Sequence, residues 1–174
     1  MGYTHYWTFK QPKSIKGKHQ EIESQYQLAV RQCQRIVKSY NKAVKSIDPK
    51  HHGRLSGYSA HTKVNDYLGL DFNGTSDMSH ENFCLRDHWS HNENFNFCKT
   101  AQKPYDTVVV ACLITLKHYL GDLIEVSSDG DSTDWNDGLR LAQQSLKIKV
   151  LTMYFSMESY TTSDIMQEFP SKMI

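Results

Sequence analysis

Several things that would narrow the class of this chain at once are scarce or missing. Its 174 residues hold four cysteines, Cys33, Cys84, Cys98 and Cys112, widely spread and without a CxxC pair. That spacing excludes a zinc ribbon and the dense framework of a small disulfide scaffold, so reduced thiols are expected. Long hydrophobic runs are missing too. The most apolar stretch, Val108 to Leu116, falls well short of the roughly 20 residues needed to span a bilayer, so no membrane is expected as a partner. The start, Met1-Gly2-Tyr3-Thr4-His5, has no basic region leading into an apolar core, and no signal peptide is expected. Tyr6 stands where a myristoylation motif wants Ser or Thr. Charge of one sign is lacking as well. Twenty Lys and Arg against 19 Asp and Glu leave a formal charge of +1. That balance gives no prior for a polyanion, and nucleic acid is not an expected partner, although Lys10, Lys13, Lys16 and Lys18 cluster near the start. A Ser-His-Asp order, an HxxEH helix and a GxGxxG turn are all absent, which removes the signatures of common hydrolases, zinc proteases and dinucleotide-binding folds.

What is there is periodic. Tyr3 to Phe9 alternates as a strand, with Tyr3, His5, Trp7 and Phe9 on one face and Thr4, Tyr6 and Thr8 on the other. His19 to Lys45 reads as a long amphipathic helix with Ile22, Tyr26, Ala29, Val30, Cys33, Val37, Tyr40 and Val44 as its buried stripe. Asp48-Pro49 ends it. Lys50 to Asn65 reads as a polar loop, and its His51-His52 pair, with no converging acid, as solvent-exposed rather than metal-binding. Tyr67 to Phe72 and Glu81 to Arg86 read as a hairpin whose turn is supplied by Asn73-Gly74 and the polar Thr75 to Ser79. Phe95 to Thr100 is a short strand with Phe95 and Phe97 on one face and Asn96 and Cys98 on the other.

Pro104 to Leu120 reads as a helix that starts on proline and stops at Gly121. Val108 to Leu116 is apolar on nearly all sides, so this helix belongs at the centre. Leu123 to Ser127 is a strand with Ile124 and Val126 inward. Ser132 or Thr133 is expected to cap a last helix running to about Lys147, with Trp135, Leu139, Ala142 and Leu146 buried. Ile148 to Phe155 is left open between more helix and a further strand. The expected fold is α+β: a mostly antiparallel sheet of about five strands packed with three helices, one of them central and buried. Residues 1–155 form a single domain and 156–174 a polar C-terminal tail.

Candidate chemistry gathers around the apolar run. Lys99 and Thr100, just before the second helix, can hold a phosphate near its positive end. Tyr105 and Asp106 sit in that helix's first turn, where an acid suits the dipole and a tyrosine can stack or donate. Asp129-Gly130-Asp131 resembles a fragment of a calcium loop, but Arg140 stands where the twelfth-position acid is needed. His80 beside Glu81 can serve as an acid/base pair, although neighbours on a strand point to opposite faces. His5 and Trp7 share an aromatic face that can pack or stack on a base.

These segments resemble a family of small proteins found in phages and bacteria. The matching residues are Gly2-Tyr3-Thr4-His5-Tyr6-Trp7, Phe72-Asn73-Gly74, His80-Glu81 with Phe83, Phe97-Cys98-Lys99-Thr100, Lys103-Pro104-Tyr105-Asp106, Lys117-His118, Ser127-Ser128-Asp129-Gly130 and Trp135. The resemblance covers about Met1 to Leu141, apart from the loop at 50–65. It implies one compact domain and a role in host–virus conflict, and it transfers no catalytic residue.

The expected function is therefore a phage-type protein of the cytoplasm, the host cell's if phage-encoded. It would bind and sequester a nucleotide-derived host immune signal, without a cofactor or metal and as a homo-oligomer. His5, Trp7, Lys99, Thr100, Tyr105, Asp106, Asp129 and Trp135 are the expected ligand-binding residues. Lys99 and Thr100 would hold phosphate, Tyr105 or Trp7 would stack, and Asp129 would take a ribose hydroxyl. The alternatives are a nucleotide phosphodiesterase or hydrolase using His80, Glu81 or His5, and a protein inhibitor of a host factor.

Overall fold

A computed structural model of the chain describes residues 2–10, 18–47, 53–57, 69–92 and 94–147. The expectations for His51-His52, Ile148 to Phe155 and the tail fall outside the described residues. Alternation in the first segment produces strand β1, Thr4–Phe9. It is the middle strand of an antiparallel sheet, flanked by β5, Phe95–Lys99, and β6, Ile124–Ser128. The register places His5 opposite Cys98 on one side and Ser128 on the other. Tyr6 lies between Phe97 and Ser127, and Thr8 between Phe95 and Glu125. Paired residues in an antiparallel sheet share a face. Thus His5, Trp7, Phe9, Cys98 and Ile124 are buried on the inner face, and Tyr6, Thr8, Phe95, Phe97 and Glu125 point outward.

The inner face is covered by helices. Helix α1, His19–Ile47, buries Ile22, Tyr26, Ala29, Val30, Cys33, Ile36 and Val37, close to the stripe its periodicity predicts. Helix α2, Asp106–Leu120, packs against α1, against β6, and against α3, Asn136–Leu146. Its residues Val108 to Leu116 are buried without interruption, as a helix apolar on every side requires. Gly138 of α3 permits the close approach to α2, since a Cβ there would stand 2.3 Å from Val110 Cγ1. Gly121 ends α2 with a positive φ of 53°, which glycine adopts without a Cβ clash. The cap of the last helix is not a Ser132 or Thr133 side chain. Helix α3 begins without a side-chain cap, and Asp131 Oδ1 instead accepts from the Thr133 amide at 2.8 Å and its hydroxyl at 2.5 Å in the short turn that precedes it.

A second antiparallel sheet joins β2, Leu55–Ser56, to β3, Leu70–Gly74, and β3 to β4, Phe83–Leu85. The fold is thus α+β; among the described residues a buried central helix is one of three, and six short strands form two three-stranded sheets. The loop expected over 50–65 contains β2, too short to leave an alternation in sequence. The hairpin turns through Asn73-Gly74 and the polar residues after it, as the sequence predicts. A single helical turn, Ser76–Met78, lies at its tip, and the Asn73 carboxamide clamps the His80 backbone at 2.9 and 3.0 Å. The Phe83 ring sits 5.0 Å from Trp7 and 5.3 Å from Phe72, tying the second sheet to the first sheet's inner face. Among the described residues no helix is long and apolar enough to cross a membrane.

Candidate functional site

One end of the β5-β1-β6 sheet gathers residues far apart in sequence, on two layers. The inner layer centres on His5. Its Nε2 lies 2.8 Å from Asp106 Oδ1, and the Thr100 hydroxyl donates to the same oxygen. A carboxylate only accepts, so Nε2 carries the proton in this contact. His5 and Thr100 are fully buried, while the Asp106 side chain keeps 15% of its exposure. His5 Nδ1 is buried and makes no hydrogen bond. Tyr3 and Trp135 present their rings edge-on to the imidazole at 5.1 and 5.4 Å.

The turn from β5 into α2 makes this possible. Ala101 and Gln102 both hold positive φ, near 51° and 53°, a conformation that costs L residues about 1 kcal/mol or more each. The Thr100 and Ala101 amides donate to the Tyr3 carbonyl at 3.0 and 3.1 Å. The first turn of α2 is thereby held beneath β1, with Asp106 against His5.

The Tyr3 hydroxyl occupies the space a side chain on Gly130 would need, 2.1 Å from an ideal Cβ. Burial pushes the Tyr3 phenol up to about 12. The nearby charges of Asp106, Asp134 and Asp131 push the same way, against the Ser128 side chain. With three acids around it, this inner corner repels an anion.

The outer layer is the solvent side of the same strands. Lys99, Thr4 and Asp129 form its first row, and adjacent strands stand ~4.8 Å apart. Asp129 accepts from the Thr4 amide at 3.0 Å and from the Tyr6 hydroxyl at 3.1 Å, yet remains exposed. The Lys99 side chain extends over Gly2, whose lack of a Cβ leaves room for it. Among the described residues Lys99 pairs with no carboxylate. Its backbone is fixed by Glu81, whose amide donates to the Lys99 carbonyl at 3.2 Å and whose carboxylate accepts from the Lys99 amide at 2.8 Å.

Beyond this row lie three rings. Phe95 and Phe97 are each 55% exposed. Tyr6 stacks beside Phe95 at 6.2 Å with an interplanar angle of 23°, and Phe97 lies 6.3 Å from Phe95, tilted by 34°. Lys10 and Glu125 close the far end as an ion pair at 2.5 Å.

Of the residues read from sequence, the structure brings His5, Thr100, Asp106 and Trp135 together on the inner layer. Tyr105 lies beside them, buried, its hydroxyl donating to the Glu81 and Lys99 carbonyls at 2.8 and 3.3 Å. Trp7 sits deeper in the core, against Phe83. Lys99 and Asp129 are on the outer layer, one on each side of Thr4.

The expected phosphate cradle of Lys99 with Thr100 is not assembled. Successive residues leave the strand in opposite directions, and the Thr100 hydroxyl is already committed to Asp106. Stacking on Tyr105 or Trp7 is not available either, since each is about 1–2% exposed. Nor do His80 and Glu81 work as a pair: His80 is exposed, and the Glu81 carboxylate is turned to the Lys99 amide. Sequence reading missed Tyr6, Phe95 and Phe97 as functional candidates. Their alternation was visible, but which face the helices cover is decided only when the chain packs.

All four cysteines are free thiols. Burial pushes Cys98 up to about 12 and raises Cys112 well above its ordinary range, so both are inert packing residues at neutral pH. Among the described residues no group of three or more His, Cys, Asp or Glu side chains is placed to hold a metal ion. No family model, curated protein or solved structure matches the chain.

Proposed function

We propose that the protein binds a nucleotide-derived small molecule on the outer face of the β5-β1-β6 sheet and holds it without turnover, as a sponge for a host immune signal. The observation that carries this reading is the convergence on one face, among the described residues, of exposed rings, a cation without a carboxylate partner and an exposed carboxylate. Every nucleobase has an apolar π-face, which stacks on Phe95, Phe97 or Tyr6. A phosphate is drawn to Lys99. Asp129 retains lone pairs after accepting from Thr4 and Tyr6, so a sugar hydroxyl can donate to it. Holding rather than hydrolysis fits the same geometry, because the buried His5–Asp106 pair lies on the opposite face. The resemblance to phage proteins makes host defence signals the first ligands to try.

Calorimetry of the full chain against cyclic dinucleotides and cyclic ADP-ribose isomers tests the reading. Heat should appear with at least one of them and weaken about tenfold or more in Lys99→Ala, since that variant loses a charge-assisted contact. Ligand released by denaturation should be chromatographically intact. No heat with any of these nucleotides sinks the proposal, and turnover replaces the sponge with an enzyme.

A further inference from the structure

Resting on that reading, we infer that the ligand carries two bases, and that the outer face is a dinucleotide platform rather than a mononucleotide site. The three rings do not share one plane. Tyr6 stacks with Phe95, with 6.2 Å between centroids and 23° between planes, so the two act as one aromatic unit. Phe97 is turned by 34° from Phe95, with centroids 6.3 Å apart. A rigid planar base laid flat on the Tyr6–Phe95 unit cannot also lie flat on Phe97. Stacking gains most from parallel contact, so a single base leaves one platform exposed.

Two bases joined by a sugar–phosphate fill both, which is how aromatic residues on sheets and in grooves engage successive bases. The polar row fits the same ligand. Lys99 stands one strand step beyond Phe97 on the same face, placing a cation for phosphate at the end of the stacked pair. Asp129 stands across β1 from Lys99, where a carboxylate suits sugar hydroxyls and repels phosphate. The exposure of both phenylalanines follows, since a mononucleotide would explain only one of them.

The experiment titrates the full chain, by calorimetry at fixed salt, with adenosine monophosphate, the linear dinucleotide pApA and cyclic di-adenosine monophosphate. At least one dinucleotide should bind ten times tighter than the mononucleotide, or more. Phe95→Ala and Phe97→Ala should each weaken the dinucleotide about tenfold, the typical scale for loss of one stacked base. The mononucleotide should respond to only one of the two variants. Phe97→Trp should bind the dinucleotide like the wild type, which separates lost stacking from a disturbed fold. Equal affinity for one-base and two-base ligands overturns this inference and leaves nucleotide binding standing. Absence of binding by all three, and by the other cyclic dinucleotides and the cyclic ADP-ribose isomers, in a sample with an unchanged melting transition, overturns both.

Discussion

The two faces of the β5-β1-β6 sheet are made by alternate residues of the same strands, yet they do opposite things with the same residue types. Inside, Trp7 and Phe9 are almost fully buried, packed against Phe83, Tyr26 and Trp89. Outside, among the described residues, Phe95, Phe97 and Tyr6 lie ring beside ring, and the Tyr6 hydroxyl reaches Asp129. The polar groups divide in the same way. His5, Thr100 and Asp106 are bound to each other in the interior, while Lys99 and Asp129 keep unused capacity at the surface. Aromatic rings and charges therefore do not announce a site here. What separates structure from candidate function is which side of a single strand the helices cover.

The sharpest break of this comparison is a truncation on each face. Phe9→Ala should destabilise the fold by about 3–5 kcal/mol in denaturant melts, through lost burial and a cavity among Tyr26 and Trp89. Next is Asp106→Ala, which orphans the Thr100 hydroxyl and His5 Nε2 at a cost of about 1–3 kcal/mol per donor. Asp106→Asn should cost less, because its carbonyl can still accept.

Alkaline pH tests the inner face again. Cys98, ordinarily near 9.0, and Tyr3, ordinarily near 10.0, are both pushed up to about 12. Above pH 9 the unfolded chain loses these protons while the folded chain keeps them, so the native state binds more protons and stability falls as pH rises. The full contribution is present below about pH 9. Between there and pH 12 the slope from Cys98 is about 1.4 kcal/mol per pH unit, and Cys98→Ala should remove the earliest part of the decline. The smallest effect belongs to the outer face: Phe97→Ala should change stability by less than about 0.5 kcal/mol. A large loss in that variant would show the outer rings to be core, and the two-face comparison would collapse.

Much of the fold was legible because it is written locally. The stripe of α1, the all-apolar α2, the alternation of β1 and β5 and the stop at Gly121 each follow from a few neighbouring residues. The two-residue β2 has no room for a period, and its strand character comes from pairing with Gly74 and Asn73. The site was legible in part. Asp106 reads in sequence as a dipole-favoured residue of a helix start, and His5 as a packed histidine. Their hydrogen bond spans 101 positions and depends on two left-handed residues, Ala101 and Gln102, that no local propensity favours. Lys99 and Asp129 were found from their positions at strand ends, but their common face required the register.

Glu81 has a consequence for how these molecules behave toward one another. A sheet margin with exposed phenylalanines beside it is an invitation to grow, chain upon chain. On the β5 side the Glu81 amide and carboxylate fill the places that a neighbouring strand's peptide would take, so the margin at Lys99 is already occupied. On the β6 side, the exposed Asp129 carboxylate sets a negative charge where a second copy would approach. The molecule can thus keep an adhesive face turned to water while denying it the lateral template from which fibres are built.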